Sequence, residues 1–131
     1  GKMKSGVPDW DIYVVDVRDV ARAHILAGDK PSANGRHILV SENIPFIEIS
    51  NIIRKKYSQY PLPKGKAPNF IMYIFGPLMG FSWKFLKRNL GIRYQLDNTY
   101  SKKDLGIEYR PLEQTLNDHV DQIIESGLLN K

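Results

Sequence analysis

The feature that most limits the fold of this chain is a short apolar run, residues 12–15, that passes directly into a helical repeat. The run is rich in β-branched residues, as in a strand buried on both faces. Asp16 follows at the position of a helix N-cap, and Asp19 lies in the first helical turn, where free backbone N–H groups favour a carboxylate. The pattern therefore predicts a strand that leads at once into a helix ending at Gly28.

The predicted helix has one apolar face. Its members recur at intervals of three and four residues: Val17, Val20, Ala21, His24, Ile25 and Gly28. A second apolar run, residues 36–40, predicts another strand, and strands joined by a crossover helix are parallel. Since two parallel strands cannot form a sheet covered on both faces, we expect the last β-α-β unit of a larger sheet whose first strands lie outside this chain.

The remainder of the chain has mostly helical periodicity. Helices are predicted at residues 45–57, 69–79, 81–90, 99–105 and 111–126, and a short strand at residues 93–96. The helices at residues 69–90 meet at the sequence GPLMG, which is typical of a hinge. We therefore predict an α/β fold with two parts, the β-α-β unit in residues 1–41 and a mostly helical lobe in residues 42–131.

Composition excludes several classes of protein. The chain has no cysteine, which rules out disulfides and thiolate metal sites and fits a cytoplasmic location. The net charge of +5 is modest and mostly scattered, and it is compatible with nucleic acid, an anionic membrane or a phosphorylated small molecule. The longest apolar run, residues 70–81, is shorter than the roughly twenty residues that span a membrane. We expect this run to be buried or to cover a pocket, and we expect no membrane partner.

The chain lacks the motifs that bind nucleotides. None of its glycines forms GxGxxG or GxxxxGK[ST], so no cofactor-binding residue is assigned. Tyr60 and Lys64 match Y-x-x-x-K, but that proton-transfer pair must share a helix face, and Pro61 and Pro63 prevent a regular helix. No catalytic residue is therefore assigned.

The three histidines show neither metal-ligand spacing nor a nucleophile motif, so no metal site is predicted. His24 and His119 lie on apolar helix faces and His37 lies in a predicted strand, and all three are interpreted as structural. Arg18 and Asp19 are interpreted as a charge pair at the start of the helix. A role beside the substrate is the alternative for that pair.

Aromatic and basic residues alternate in FSWKFLKRNLGIRY, residues 81–94. Stacking and cationic contacts of this kind hold single-stranded nucleic acid, so a non-catalytic, basic interaction module that binds single-stranded nucleic acid is the alternative function. The spacing of Phe81, Trp83, Phe85 and Leu86 is equally typical of a helix that packs inward while its lysines face water. The second interpretation is preferred.

Several segments follow one another along the chain in a specific order: VVDVRDVARAHILA, GRHILVSE, EISNIIRKKY, YPLP and DNTYSKKDLGIEYRPLEQTLNDHVDQIIESGLL. This order resembles the C-terminal part of the extended short-chain dehydrogenase/reductase superfamily. The resemblance is to the branch that is similar to dihydroflavonol 4-reductase and cinnamoyl-CoA reductase. The ordered set is specific and covers nearly the whole chain.

The resemblance implies an NAD(P)H-dependent reductase that acts on a ketone or aldehyde. NADP or NAD would be bound by an N-terminal Rossmann domain, which would also carry the catalytic residues. The present chain would be a Rossmann-type fragment, the last parallel strands with their crossover helix and a helical substrate-binding lobe. Alone, it is expected to bind no cofactor and to be inactive. Its partners would be the carbonyl substrate and the missing Rossmann domain, with self-association through an exposed sheet edge as a further expectation.

In similar reductases the loop before the VDVRDV segment lines the substrate pocket. The resemblance therefore implies that Pro8, Trp10 and Tyr13 form a pocket wall, with the alternative that Trp10 only packs on the core. The apolar segment that contains Met79 and Trp83 is hypothesised to be a flap over that pocket, because glycine and proline residues precede it.

Overall fold

The computed structural model describes residues 6–128. Strands and helices follow one another along this part of the chain in the order β1 Asp11–Val14, α1 Val17–Asp29, β2 Glu42–Pro45, α2 Phe46–Lys56, α3 Asn69–Phe75, a 3-10 helix Pro77–Met79, α4 Trp83–Asn89, α5 Thr99–Leu105 and α6 Leu112–Glu125. The predicted helices are confirmed, although the one predicted at residues 69–79 changes to a 3-10 helix for its last turn. The strand predicted at residues 93–96 is not formed in the described part of the chain.

β1 and β2 form a two-stranded sheet. They are antiparallel, since the Ser41 N–H donates to the Val14 oxygen (2.7 Å) at one end and the Phe46 N–H donates to the Trp10 oxygen (3.0 Å) at the other. The prediction of a parallel partner strand at residues 36–40 is therefore wrong within residues 6–128. An apolar run forms a strand only beside a neighbour that shares its backbone hydrogen bonds, and no such neighbour lies among the described residues.

The chain forms two compact units, each built from two separate segments. Unit 1 comprises Gly1–Ile12 and Ile44–Tyr94, and it contains α2, α3 and α4. Unit 2 comprises Tyr13–Asn43 and Gln95–Lys131, and it contains α1, α5 and α6. Each unit has its own small cluster of buried apolar side chains.

In unit 2, α1 turns a narrow face toward the core. Ala23 is buried in a cluster with Leu105 and Ile107. Asp19 lies on the same face and is 1% exposed. Its carboxylate accepts a hydrogen bond from the Arg110 N–H (2.8 Å) and forms an ion pair with the Arg110 guanidinium. Because a buried carboxylate is stable only when it is paired, this contact fixes which face of α1 points inward.

The predicted apolar face of α1 lies mostly on the outside. Val17 is 77% exposed and Ile25 is 62% exposed. His24 is exposed as well, with its Nδ1 atom 2.8 Å from the Val20 carbonyl oxygen. An apolar helix face is expected to pack inward, but within unit 2 this one does not, because the buried ion pair turns the opposite side of the helix inward.

Asp16 caps the first turn of α1, as predicted. Its carboxylate accepts hydrogen bonds from the Arg18 N–H (2.8 Å), from the Arg18 side chain (2.6 and 2.9 Å) and from the Thr115 hydroxyl (3.1 Å). These donors, above all the Arg18 side chain, hold the pKa of Asp16 well below its usual value of 3.8. Arg18 also pairs with Asp118 of α6 at 2.7 Å. The partners of Arg18 are thus Asp16 and Asp118 rather than the predicted Asp19.

Replacing Asp16 tests the helix cap. Asp16→Ala is expected to lower the free energy of unfolding by about 1–2 kcal/mol at neutral pH, because the first turn of α1 loses its side-chain acceptor. Asp16→Asn keeps an acceptor and should cost less. Folding lowers the pKa of Asp16, so its charge contributes fully to stability above the usual value of 3.8. That contribution is lost progressively as the pH falls from this value through the lowered pKa of the folded state. The difference between wild type and Asp16→Asn should therefore shrink in acid.

Urea titrations followed by circular dichroism at several pH values measure both effects. Asp29→Asn, at the far end of α1, is the matched control. The cap is contradicted if Asp16→Ala and this control unfold at the same urea concentration.

Replacing Arg110 tests the buried ion pair of unit 2. Arg110→Ala is expected to lower the free energy of unfolding by about 3 kcal/mol, since the Asp19 carboxylate then stays buried without its guanidinium. Arg110→Lys should recover part of the loss because an ammonium group can still pair with the carboxylate. Thermal unfolding measures the difference, and an unchanged melting temperature for Arg110→Ala would show that this pair does not fix α1.

Candidate functional site

The predicted pocket wall begins in unit 1, in the loop before β1. Val7 forms a parallel bridge with Lys66, and the Ala67 N–H donates to the Val7 oxygen at 2.8 Å. Gly6 has a φ of +142°, and a Cβ atom there would lie 2.8 Å from the Ala67 nitrogen, so this close approach requires glycine. Pro8 is buried directly after this contact.

An ion cluster holds the same loop. Asp9 pairs with Lys66 at 2.7 Å and with Arg93, and Arg93 also pairs with Asp11 at 3.2 Å. The hydrogen bonds from Lys66 and Arg93 lower the pKa of Asp9. The Gly91 N–H donates to the Asp9 backbone oxygen at 2.6 Å, so backbone and side chain are both fixed. Sequence reasoning missed this cluster, because its members are far apart along the chain and no local pattern connects them.

Trp10 packs on the apolar cluster of unit 1. Its ring meets those of Phe81 and Phe85 edge-on, with centroids 5.5 and 5.6 Å apart, and it packs against the buried cluster that contains Met72 and Leu86. These contacts agree with the alternative in which Trp10 packs on the core. Trp10 remains only half-buried, and its part in a pocket wall stays a prediction.

The third predicted wall residue and the two residues of the predicted flap lie at the surface of their units. Tyr13 belongs to unit 2, where it is part of β1 and is 37% exposed. Met79 ends the 3-10 helix of unit 1 and is 54% exposed, while Trp83 begins α4 and is 63% exposed. Pro8 and Trp10 thus lie in one loop of unit 1. Met79 and Trp83 lie at the two ends of the exposed turn between the 3-10 helix and α4.

The glycine at the predicted hinge is a packing position. Gly76 is buried, and a Cβ atom there would overlap the Met72 carbonyl oxygen and lie 2.8 Å from Cδ1 of Leu86. α3 and α4 therefore meet at a corner that admits no side chain. Gly80 has a φ of +92° with open space around it, so the left-handed backbone there is what favours glycine.

Two open grooves occur in unit 2, and sequence reasoning found neither. The larger has a volume of about 890 Å³ and lies between the β1–α1 turn and α6. Its charged lining is mostly acidic and consists of Asp16, Arg18, Asp118, Asp121 and Glu125. The smaller, of about 580 Å³, has a polar lining: Ser41, Asn43, Gln95, Asp97, Asn98 and Lys102, with Val40 and Leu96. Among the described residues, neither the three predicted wall residues nor the two residues of the predicted flap line either groove.

The β1–α1 turn does not fit a nucleotide phosphate. The turn contains no glycine, and the Arg18 N–H at the start of α1 already donates to the Asp16 carboxylate. A helix N-terminus binds phosphate through such N–H groups, and a carboxylate already placed there repels a second anion. No residue of this turn is therefore assigned to a cofactor.

His37 joins the turn after α1 to α5. Its Nε2 atom is 2.6 Å from Oδ2 of Asp104, and its ring stacks on that of Tyr100 with centroids 4.8 Å apart. The hydrogen bond with His37 lowers the pKa of Asp104, and the Lys30 side chain donates to the Asp104 backbone oxygen. These contacts support the interpretation of His37 as structural.

The remaining sequence motifs yield no site in the part of the chain that the structure describes. Residues 60–64 are not helical, so Tyr60 and Lys64 lack the shared helix face that Y-x-x-x-K chemistry needs. Across residues 6–128, no group of His, Asp and Glu side chains could hold a metal ion. Within the same range, no helix combines the length and apolar character that crossing a membrane requires.

Comparison with known proteins gives several relatives, although no protein-family model matches the chain. It is 34% identical over 133 residues to cinnamoyl-CoA reductase 2 of Arabidopsis thaliana, a match that covers 98% of this chain and 33% of that protein. It is 32% identical over 116 residues to a putative NADPH-dependent methylglyoxal reductase of Candida albicans, covering 86% of this chain and 29% of that protein. The chain thus spans about a third of the length of these relatives.

Solved structures of reductases also match nearly the whole of this chain. Gre2 of Candida albicans in complex with NADPH matches with a TM-score of 0.64 and 30% identity over 95% of this chain and 33% of its own. Yeast methylglyoxal/isovaleraldehyde reductase Gre2 with NADPH matches with a TM-score of 0.65 and 27% identity over 92% of this chain and 35% of its own. The matched region is the C-terminal part of these Rossmann-type proteins, which confirms the predicted α/β fold class.

The two tryptophans provide a matched test of the site geometry. Trp10→Ala is expected to lower the free energy of unfolding by about 3 kcal/mol, because it leaves a cavity beside two phenylalanine rings. Trp83→Ala should change it by less than about 0.5 kcal/mol, because the side chain is mostly exposed. Urea unfolding measures both values, and equal losses would contradict the described packing. Acrylamide should also quench Trp83 fluorescence in Trp10→Phe more strongly than Trp10 fluorescence in Trp83→Phe.

Proposed function

We propose that this chain is the substrate-binding portion of an NAD(P)H-dependent reductase that acts on a ketone or aldehyde. The chain is homologous to the C-terminal part of proteins of the extended short-chain dehydrogenase/reductase superfamily. Its homologues include cinnamoyl-CoA reductases, an anthocyanidin reductase and methylglyoxal reductases. The observation that carries the proposal is that reductases of this kind match nearly the whole chain while the chain matches about a third of each.

The cofactor would be held by another part of the enzyme. When bound, NAD(P)H supplies the hydride that reduces a carbonyl carbon. The β1–α1 turn of this chain does not fit its phosphates, because Asp16 caps the start of α1. We therefore assign no residue of this chain to hydride transfer and propose that the isolated chain is inactive.

Two features of unit 2 support a nucleotide-binding part that covers it. The apolar stripe of α1 is exposed, with Val17 at 77% and Ile25 at 62%. Residues 38–40 are apolar but lie in no strand, and Ile38 is 46% exposed. Exposed apolar side chains, and an apolar segment that joins no strand, are features that another layer of a parallel sheet would cover. We propose that the nucleotide-binding part packs on α1 and pairs with residues 36–40.

The substrate wall is proposed from the loop before β1. In unit 1, the ion cluster around Asp9 and the ring contacts of Trp10 fix the loop, so Pro8 and Trp10 are held in place before a substrate arrives. Tyr13 would add a flat apolar face with a polar tip. These side chains would bind and orient the carbonyl compound and exclude water from it. Met79 and Trp83 stay predictions, and their exposure favours a surface role.

A chimera tests the proposal. The C-terminal third of the Candida albicans methylglyoxal reductase is replaced by this chain, and NADPH oxidation is followed with methylglyoxal and larger aldehydes. We expect the chimera to oxidise NADPH, and we expect the isolated chain to do so no faster than buffer. Oxidation by the isolated chain at the rate of the chimera would overturn the proposal.

Two matched variants of the chimera test the substrate wall. Tyr13→Ala should raise the KM for the aldehyde about tenfold, which corresponds to the loss of one good side-chain contact. Tyr73→Ala is the control, because Tyr73 is also 37% exposed but lies on α3. Equal KM values for the two variants would show that Tyr13 does not contact the substrate.

A further inference from the structure

The charged residues of this chain are separated by sign along the sequence and are not evenly scattered. Between residues 49 and 96 there is no Asp or Glu, whereas this stretch holds nine Lys and Arg. Most of it belongs to unit 1, which has eleven Lys and Arg against three Asp and Glu. Unit 2 has the opposite balance, with eleven acidic residues against eight basic ones. The net charge of +5 is therefore the difference between a strongly basic unit and a mildly acidic one.

Two of the acids of unit 1 are already neutralised. Asp9 pairs with Lys66 and Arg93, and Asp11 pairs with Arg93. Across residues 6–128, no ion pair joins Lys84, Lys87 or Arg88 of α4 to a carboxylate, and all three side chains are exposed. Helix α4 thus presents three free cations in a unit that has almost no remaining negative charge.

The segment from α3 to α4 also exposes large apolar side chains. Those that are more than half exposed are Phe70, Ile74, Phe75, Leu78, Met79 and Trp83. We call these six residues, together with Lys84, Lys87 and Arg88, the apolar-basic surface. Single exposed apolar residues are normal on a protein, but six within fourteen positions mark a surface that binds something.

The composition of this surface favours lipid over nucleic acid. Single-stranded nucleic acid stacks on aromatic rings, which Phe70, Phe75 and Trp83 could supply. The other three exposed apolar side chains, Ile74, Leu78 and Met79, are aliphatic and offer no ring. Aliphatic and aromatic side chains beside lysine and arginine are the combination that enters the boundary between headgroups and acyl chains of an anionic bilayer. Trp83 followed by Lys84 fits that boundary, since an indole ring prefers the interface and an ammonium group prefers the headgroups.

We propose that unit 1 docks on an anionic membrane surface through the apolar-basic surface. The apolar side chains of α3 and the 3-10 helix enter the interface, and the cations of α4 pair with lipid headgroups. The expectation of no membrane partner rested on the length needed to span a bilayer, and that length is not needed to lie on its surface. The docking does not require the reductase activity proposed above, and it assigns Met79 and Trp83 to the membrane surface rather than to a flap over the substrate.

Vesicle binding of the full chain tests the proposal. The chain is mixed with vesicles of phosphatidylcholine alone and of phosphatidylcholine with phosphatidylserine, and the bound fraction is measured by flotation. We expect binding to the mixed vesicles only, weakening as salt rises. In Trp10→Phe, the emission of Trp83 should shift to shorter wavelength when the vesicles are added. No binding to either kind of vesicle overturns the proposal.

Three variants separate the contributions of the cations, of the apolar side chains and of the net charge to vesicle binding. The double variant Lys87→Glu and Arg88→Glu should bind about 100-fold more weakly, on the basis of the attraction of each cation to an anionic leaflet. Leu78→Ser, at a position that is 83% exposed, should weaken binding about tenfold without changing the circular dichroism spectrum. The matched control is Lys102→Glu with Lys103→Glu in α5, two exposed lysines of unit 2, which should bind nearly as wild type.

Three results would overturn the proposal in favour of another ligand or of none. Retention on single-stranded DNA without vesicle binding would assign the surface to nucleic acid. A dimer that Leu78→Ser dissociates, again without vesicle binding, would assign it to a second copy of the chain. Vesicle binding that the α5 control weakens as much as the α4 variant would show attraction by net charge and no docking surface.

Discussion

Both carboxylate oxygens of Asp19 are held by Arg110, one by its backbone N–H and the other by its guanidinium, in a position that is 1% exposed. Helix α1 cannot rotate away from this arrangement without leaving a charge unpaired inside the protein, which is far more costly than exposing an aliphatic side chain. Ala23 therefore meets Leu105 and Ile107, and the wider apolar stripe of α1 faces outward. The exposed side of α1, on which the proposed contact with a nucleotide-binding part depends, follows from this one ion pair.

Unit 1 has a small apolar core, and ion pairs and aromatic contacts hold its loop in place. Its loop before β1 is fixed by ions at Asp9 and by ring contacts at Trp10, and both kinds of contact come from residues after position 60. Among the described residues, the buried members of the cluster beneath it are Met72, Leu86 and Leu90. A small core leaves many apolar side chains without cover, and within residues 6–128 no carboxylate pairs with Lys84, Lys87 or Arg88 of α4. A surface of that kind is better explained by an external ligand than by internal packing.

The sequence predicts the helices well because the signals that start and stop them are local. Asp16 caps α1, and Gly106, with a φ of +68°, ends α5 as expected. The strand at residues 36–40 and the pairing of Asp9 could not be predicted in the same way, because each depends on a partner distant in the sequence. Of the candidate site, the position of Trp10 in a fixed loop was predictable only through the family resemblance, and its contacts with Phe81 and Phe85 were not.

Gly76 has a consequence for how such proteins can diversify. Its missing side chain lets α3 and α4 touch, since any Cβ atom would overlap the Met72 oxygen and approach Leu86. No substitution at this position can leave the backbone unchanged. The angle between α3 and α4 therefore cannot be altered in small steps by replacing Gly76. The residues on either side remain free to vary. Evolution can therefore alter the chemical character of the exposed faces of α3 and α4 while the frame that carries them stays constant.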